Sequence, residues 1–137
     1  MPRIAALSAA LPATVAAAVT AAVMLAHAVP ADASEAPRTS LRLTLTYPGH
    51  DASGTRSVTL RCDPAGGSHP RAAPACAELR RAGGRLVHDP DGRVCTAQYS
   101  PVVAEARGSW RGTPVGFRSK FGNDCVMHSR TGTVFAF

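Results

Sequence analysis

The sequence predicts an α+β domain in which a five-stranded antiparallel sheet packs against one or two short helices. Apolar and polar residues alternate in several segments, and this period of two is typical of half-buried strands. Stretches rich in Gly and Pro separate these segments and predict turns between the strands. Four cysteines, an even number, follow an apolar N-terminal segment, as in small exported domains stapled by two disulfides.

The N-terminal segment predicts secretion. Arg3 precedes an almost unbroken apolar run at residues 4–26, and A-x-A patterns end at Ala28 and Ala33. We expect signal cleavage after Ala33, because Pro30 ends the apolar helix a few residues upstream; cleavage after Ala28 is the alternative. The run is long enough to span a bilayer, but two A-x-A patterns and the lack of a basic flank favour its removal.

This assignment divides the chain into three parts. Residues 1–33 are the predicted signal peptide, residues 34–39 a flexible leader, and residues 40–137 the folded domain. We therefore expect an extracellular protein that keeps no membrane segment after cleavage.

Two strands and a loop begin the domain. Residues 40–47 and 57–62 alternate and are separated by turn-forming residues, which predicts an antiparallel pair. Residues 63–71 contain prolines and glycines and predict an irregular loop. The inward positions of the two strands are Leu41, Leu43, Leu45, Tyr47, Val58, Leu60 and Cys62.

A short helix is predicted next. Pro74 suits its first turn, and the glycines at positions 83 and 84 end it. We expect Glu78 near the positive end of this helix and basic residues near its negative end. Its apolar stripe consists of Ala75, Cys76, Leu79 and Ala82.

The second half of the domain predicts a hairpin. Residues 84–98 lack a sustained period and contain a turn signal at 89–92, whereas residues 101–110 alternate and form the longest predicted strand. Residues 111–112 turn the chain into a further strand at 113–121. Because the inward residues of the long strand are small, we expect a helix to lie close against that face.

The C-terminal residues complete the predicted sheet. Residues 123–128 suit a loop or one helical turn. Residues 133–137 are predicted to form a terminal strand, the fifth of the sheet.

An oxidising extracellular compartment favours two disulfides among the four cysteines. The count allows three pairings; sequential pairing, Cys62 with Cys76 and Cys95 with Cys125, closes two loops worth about 3–4 kcal/mol each in the chain-entropy model. With every cysteine paired, no thiol nucleophile remains. No C-x-x-C spacing exists and the histidines follow no ligand-like interval, so we expect no metal and no other cofactor.

The remaining composition argues against two function classes. The formal net charge is +6, but the basic residues are dispersed along the chain, which favours a solvated surface over a nucleic-acid interface. The sequence contains neither a G-x-S-x-G nucleophile elbow nor a phosphate-binding loop, and its carboxylates are scattered. We therefore expect neither a nucleic-acid partner nor an enzyme.

One segment is predicted to be unusually constrained. Residues 94–101 look extended, are tethered at Cys95 and are fixed at their far end by Pro101 and the long strand. A segment held at both ends loses little conformational entropy when a partner binds it. Most of the free energy of its contacts therefore contributes to the binding affinity. The alternative is that the disulfide only staples a small core and that this loop is inert.

An ordered series of short segments runs through the domain, with the four cysteines in register. The series includes Leu60-Arg61-Cys62-Asp63-Pro64, Tyr99-Ser100-Pro101-Val102, Phe121-Gly122-Asn123-Asp124-Cys125 and Val134-Phe135-Ala136-Phe137. In these segments the chain resembles the Streptomyces subtilisin inhibitor family, over nearly the whole predicted domain. The resemblance implies a five-stranded antiparallel sheet with two helices, usually in a homodimer joined through sheet faces.

The resemblance also implies a disulfide pairing and a function. The family joins its first cysteine to the second and its third to the fourth, here Cys62–Cys76 and Cys95–Cys125. Its members inhibit subtilisin-like serine proteases as tight-binding pseudo-substrates, without a cofactor. The alternative is a non-inhibitory secreted binding module on the same fold.

The reactive bond implied by the resemblance lies two residues after the third cysteine, at Ala97–Gln98. The segment around Asn123 lies beside this loop in the family and supports it. The other protease-contacting positions implied are Cys95, Thr96 and Tyr99.

Ala97 departs from the family, whose members commonly have Met, Lys or Arg at this position. A short apolar side chain offers no cation to a trypsin-type pocket, and it suits the pockets of subtilisin and of elastase-like proteases. The alanine side chain also buries less apolar area in the protease pocket than methionine would, and each Å² of buried apolar area contributes about 25 cal/mol. We therefore expect weaker inhibition than with methionine at this position.

Overall fold

The computed structural model describes residues 38–48 and 54–137. The predicted signal peptide and most of the predicted leader lie outside the described residues. The described domain starts in a strand at Thr39, one residue before the predicted boundary. Within the described ranges, no helix is long and apolar enough to cross a membrane.

The strands come in runs along the chain, all pair antiparallel, and single helices follow each run, which is an arrangement of the α+β class. That predicted class is confirmed. In chain order the elements are β1 (Thr39–Thr46), β2 (Thr55–Cys62), β3 (Gly66–Gly67), α1 (Ala72–Arg81), β4 (Val102–Trp110), β5 (Thr113–Phe121) and α2 (Asp124–Thr131). The sheet order is β3-β2-β1-β4-β5, and every neighbouring pair is antiparallel.

β1 forms the centre of the sheet, between β2 and β4. Leu41, Leu43 and Leu45 point to one face and are buried in the core, as their alternation predicted. α1 packs against β2, and α2 packs against β4 and β5. The prediction that a helix lies close to the small residues of β4 is therefore confirmed.

The β4–β5 hairpin turns at the predicted residues. Arg111 and Gly112 both have positive φ, 48° and 83°, as a two-residue type I′ turn requires. The turn matches the right-handed twist of the flanking strands, so the register of β5 follows directly from it.

Both disulfides implied by the resemblance are confirmed. Cys62–Cys76 joins the end of β2 to α1 inside the core, where both residues are fully buried. Cys95–Cys125 joins the connection between α1 and β4 to α2, and it is only half-buried. Within the described residues no cysteine is free.

The predicted terminal strand at residues 133–137 is wrong. After α2 the chain folds back through a turn closed by a hydrogen bond from Val134 N to Thr131 O at 3.3 Å. Val134 and Phe135 are adjacent in sequence and both buried. The apolar residues here fill the core from a turn, so their burial does not alternate as in a strand.

The fifth strand is β3 instead, within the segment at residues 63–71 that was predicted to be a loop. It pairs with the end of β2. At Gly67, φ is +92° and a Cβ atom would strike the backbone carbonyl of Thr59, so the close approach requires glycine. Two residues are too few to show a period in the sequence.

Two predictions about the helices also need correction. α2 has eight residues, more than the loop or single turn predicted at residues 123–128. Glu78 is not near the positive end of α1, because the first turn of that helix has no acidic residue. Its carboxylate instead accepts a hydrogen bond from Thr133 N at 2.8 Å, which holds the C-terminal turn against α1.

His69 is buried beneath the C-terminal residues. Its Nε2–H donates to Val134 O at 3.0 Å, and its Nδ1 accepts from Arg71 N at 3.0 Å, so both ring nitrogens are used by the neutral form. Burial lowers the pKa of His69 from its ordinary value of 6.5, and the charge of Arg71 acts in the same direction.

The free energy of unfolding should therefore decrease as the pH is lowered through 6.5. The unfolded chain takes up a proton at the ordinary pKa, whereas the folded state takes it up only at lower pH, so protons in this window favour unfolding. Urea unfolding from about pH 8 to about pH 5, above the range where carboxylates titrate, measures the effect.

His69→Gln replaces the ring N–H donor with an amide N–H donor that does not titrate, and it should therefore reduce this pH dependence. Burial also lowers the pKa of His128, which contributes in the same direction. His69→Gln/His128→Gln should then show the smallest dependence of the three proteins. An unchanged dependence in the double variant would contradict this account.

Candidate functional site

Residues 85–101 connect α1 to β4 without helix or strand, as the lack of a sequence period predicted. Hydrogen bonds and one disulfide attach this connection to α2 and to the residues just before it. The attachments follow in antiparallel order, so the connection runs beside α2 from its C-terminal end to its N-terminal end. Its second part, residues 94–101, is called the exposed loop.

The first attachments lie at the C-terminal end of α2. His88 N donates to Arg130 O at 2.9 Å, and Asp91 N donates to Ser129 O at 3.0 Å. The Asp91 carboxylate accepts hydrogen bonds from Arg93 Nε at 2.9 Å and Nη2 at 2.6 Å. These bonds hold the pKa of Asp91 below its ordinary value. The turn that leads into the exposed loop is thereby fixed.

The Cys95–Cys125 disulfide is the covalent attachment. Its Cα atoms are 5.6 Å apart, and Cys125 lies in the first turn of α2. Both cysteines are half-buried, whereas residues 96–100 are all exposed. Because residues 89–94 are exposed too, the half-buried Cys95 is the point at which the disulfide ties an otherwise exposed stretch of chain to α2.

Asn123 attaches the exposed loop to α2 through its side-chain amide. Its Nδ2 donates to Thr96 O at 3.1 Å and to Gln98 O at 2.9 Å. Its Oδ1 accepts from Val126 N at 2.9 Å, which makes Asn123 the N-cap of α2. Both amide protons and the amide oxygen are thus in use. One side chain fixes the carbonyl groups on both sides of Ala97.

The far end of the exposed loop is held by a backbone hydrogen bond. Ser100 N donates to Gly122 O at 2.9 Å, just before β4 begins. Beside it, Lys120 Nζ lies 5.8 Å from the centroid of the Tyr99 ring, within cation–π distance. Val94 and Tyr99, 97% and 70% exposed, are the exposed large hydrophobic side chains of the described residues.

A cavity of about 280 Å³ lies between the exposed loop and the start of α2. The residues that line it are Thr96, Gln98, Ser100, Asn123, Asp124 and Cys125. Since this lining is largely polar, the loop keeps its shape through its attachments and not through apolar packing beneath it. Across residues 38–48 and 54–137, no three His, Cys, Asp or Glu side chains group as metal ligands.

The residues predicted for the site lie together in the exposed loop. Ala97 and Gln98 are both exposed, with Cys95, Thr96 and Tyr99 on either side of them. Asn123, from the other side of the disulfide, bonds to this loop directly.

Two of the features that hold the exposed loop in place were not predicted from the sequence. One is the set of backbone attachments at residues 88, 91 and 100, for which no local sequence signal exists. The other is α2 itself. Asn123 followed by Asp124 matches a helix N-cap with an acidic first turn, and the helix could have been predicted from these two residues.

Comparisons with known proteins agree on one family. A family model described as subtilisin inhibitor-like matches residues 37–123. Subtilisin inhibitor-like protein 1 of Streptomyces cacaoi is 45% identical over 93 residues, which are 64% of this chain and 84% of that protein. Trypsin inhibitor STI2 of Streptomyces longisporus is 40% identical over 136 residues, 93% of this chain and 92% of that protein.

A solved structure is similar as well. Streptomyces caespitosus sermetstatin, crystallised in complex with Bacillus licheniformis subtilisin, has a TM-score of 0.58 and 32% sequence identity, covering 72% of this chain and 97% of that chain. These similarities define a class of protease inhibitors and not of enzymes. Within that class, the chain belongs to the subtilisin inhibitor-like family.

Asn123→Asp should separate the two roles of this side chain. Aspartate keeps an acceptor for Val126 N but has no amide donor for Thr96 O and Gln98 O. We expect an unfolding free energy within about 0.5 kcal/mol of the wild type, because Asp caps helices as well as Asn. Subtilisin should nevertheless cut the loosened loop faster, as mass spectrometry of timed digests will show.

Two further variants control this experiment. Asn123→Ser also keeps a cap acceptor and adds no charge, so it should behave like Asn123→Asp. Asn123→Ala loses the cap as well and should lose about 1 kcal/mol of stability. If all three variants resist cleavage as the wild type does, Asn123 does not hold the loop.

Proposed function

We propose that the protein is a secreted inhibitor of subtilisin-like serine endopeptidases that presents Ala97–Gln98 as its reactive bond. The observation that carries this proposal is that the chain is attached on both sides of that bond. The Cys95–Cys125 disulfide and Thr96 O hold one side. Gln98 O and Ser100 N hold the other. Family membership and the subtilisin-bound structural relative support the choice of partner.

The hydrogen bonds of Asn123 suit substrate-like binding. Thr96 O and Gln98 O, two residues apart, both point at its amide. Successive residues of an extended chain face opposite sides, so the Ala97 carbonyl faces away from the domain. There it is free to enter the oxyanion hole of a protease beside the catalytic serine, while the neighbouring main chain pairs as an added strand.

The same attachments explain why cleavage would stall. Attack by the catalytic serine breaks the bond from the Ala97 carbonyl carbon to the Gln98 nitrogen and forms an ester on Ala97. The proton of the serine hydroxyl passes to the Gln98 nitrogen, which becomes a free, neutral amine. The ester side stays held by the disulfide, and the amine side stays held by Asn123 and by β4. An amine kept beside the ester re-forms the peptide bond at a high effective concentration, before the fragment departs.

The small side chain of Ala97 sets the expected range of proteases. A methyl group fits apolar or small primary pockets, such as those of subtilisin and of elastase-like enzymes, and cannot pair with the carboxylate of a trypsin-type pocket. The Streptomyces longisporus relative is named a trypsin inhibitor. This chain is therefore expected to differ from that relative in specificity.

Secretion and a homodimer belong to the proposal as predictions. Two disulfides fit the oxidising space outside the cytoplasm, where a subtilisin-like partner would also be met. The homodimer through sheet faces is implied by the resemblance alone.

Titrating active subtilisin with the purified protein tests the proposal directly. We expect peptidase activity to fall in proportion to the inhibitor added, because a pre-ordered loop binds with little entropic cost. Cys95→Ser/Cys125→Ser, verified as folded by circular dichroism, should be cut and should release the enzyme. Full protease activity at micromolar excess of the wild type would leave a non-inhibitory binding module as the better account.

Ala97→Lys should gain inhibition of trypsin, because lysine supplies the cation that the trypsin pocket binds. Gln98→Lys is the matched control: it adds the same charge one residue later and should not gain trypsin inhibition. Inhibition constants against trypsin and subtilisin for both variants give the comparison. If Gln98→Lys gains trypsin inhibition and Ala97→Lys does not, the reactive bond is Gln98–Tyr99.

A further inference from the structure

A second cavity, of about 280 Å³, opens beside the C-terminal end of α2. Four segments that are distant in the sequence line it: the residue before α1, the turn before the exposed loop, α2 itself and the C-terminal turn. The lining residues are Arg71, Arg93, His128, Gly132, Thr133 and Ala136. These residues are called the cationic recess, and none of them belongs to the exposed loop.

Hydrogen bonds to neighbouring residues hold the walls of the cationic recess in place. Arg71 N donates to His69 Nδ1 at 3.0 Å, which fixes the start of α1. Thr133 N donates to Glu78 Oε2 at 2.8 Å, which fixes the C-terminal turn. The recess is therefore formed before a ligand arrives, and binding has little ordering entropy to overcome.

Two guanidinium groups at the recess have donors available for a ligand. Arg71 has no ion-pair partner among the described residues. Arg93 bonds to Asp91 through Nε and Nη2, which leaves Nη1 without a partner in the described structure. Both arginines are exposed, so a ligand can reach them. Among the described residues, no carboxylate lines the recess.

His128 lies within the electrostatic field of these two arginines. Burial lowers the pKa of His128, and the charges of Arg93 and Arg71 act in the same direction, whereas the charge of Asp124 acts in the opposite one. The two guanidinium groups and the imidazole therefore disfavour one another's positive charge. An anion bound between them would relieve this repulsion.

The helix ends that border the recess do not oppose an anion strongly. Arg71 is the N-cap residue of α1, whose first turn has no acidic residue, so a cation stands at the positive end of this helix and is unfavourable for the helix alone. At the negative end of α2, the carbonyl groups of Ser129 and Arg130 already accept hydrogen bonds from Asp91 N and His88 N.

We propose that the cationic recess binds a small anion that bears a phosphate group. A tetrahedral phosphate presents oxygens in several directions, which suits donors that converge from separate segments, and each arginine fork can donate two parallel hydrogen bonds to it. A carboxylate has only two oxygens, and one arginine fork satisfies both. Since a water takes about 30 Å³ of liquid volume, a phosphate group fills only part of the 280 Å³, and a carrier group has room beside it.

Isothermal titration calorimetry with inorganic phosphate tests the proposal. The ionic strength is held constant with chloride, so that general screening is equal in every titration. We expect one saturable site per chain, which binds phosphate at least about tenfold more tightly than acetate. Arg71→Gln should weaken binding about tenfold or more, because it removes a charge-assisted hydrogen bond.

Arg81→Gln is the matched control for Arg71→Gln. It removes the same charge from the other end of α1, which is ten residues long, so the two positions are about 15 Å apart. This separation exceeds the screening length at physiological ionic strength, and the control should change binding less than about twofold.

Two variants of one ion pair separate ligand binding from the shape of the turn. Asp91→Asn and Arg93→Gln both remove the Arg93–Asp91 pair. Asp91→Asn frees the guanidinium from a competing carboxylate and should tighten phosphate binding about two- to fivefold. Arg93→Gln should weaken binding about tenfold or more. Weaker binding in both variants would mean that only the shape of the turn matters, and would overturn the proposal.

A second probe distinguishes free phosphate from phosphate on a carrier. Tighter binding of glycerol 3-phosphate than of inorganic phosphate supports a carried phosphate group, and the reverse order supports the free ion. The proposal is overturned if neither probe shows saturable binding at millimolar concentration, if acetate binds as tightly as phosphate, or if Arg71→Gln and Arg81→Gln lose binding equally. The assay contains no protease, so its result is independent of the proposed inhibition of subtilisin.

Discussion

The side-chain amide of Asn123 is the interaction on which the arrangement of the exposed loop depends. It holds two loop carbonyls on one side and the first turn of α2 on the other, so the loop and the helix share one anchor. An amide is the side chain that can do both, because it combines two donors with an acceptor. The direction in which Ala97 faces follows from these hydrogen bonds.

α2 serves as the platform for the whole connection, and its own position comes from the core. Met127 on this helix is fully buried against the sheet. Beyond the helix, the hydrogen bond from Thr133 N to Glu78 ties the C-terminal turn to α1. The exposed loop is therefore held rigid through α2, which is itself fixed by its contacts with the sheet and by the link from the C-terminal turn to α1. A surface loop with few apolar contacts of its own would otherwise open locally.

In the proposed complex with a protease, the short side chain of Ala97 shifts the source of affinity from burial in the primary pocket to preorganisation of the loop. Less apolar area enters the primary pocket than with a longer residue. Binding then relies on main-chain pairing and on how little conformational freedom the loop has left to lose. A loop with attachments on both sides of one bond suits that requirement, and it also keeps the two ends together once the bond is broken.

Elements in which apolar and polar residues alternate over many positions were predictable, and short segments placed by tertiary packing were not. β1 and the β4–β5 hairpin followed from alternation and from the residue pair Arg111-Gly112, because local physics decides both. β3 and the C-terminal turn were missed, since tertiary packing decides them. The exposed loop was recognised through its cysteine and its family resemblance.

The most direct test of the central claim is the equilibrium between intact protein and protein nicked at Ala97–Gln98 in the presence of a trace of subtilisin. Because both ends stay attached after cleavage, the same mixture should be reached from the intact and from the nicked form, with a substantial intact fraction by mass spectrometry. Complete conversion to the nicked form, with no resynthesis starting from it, would contradict the account.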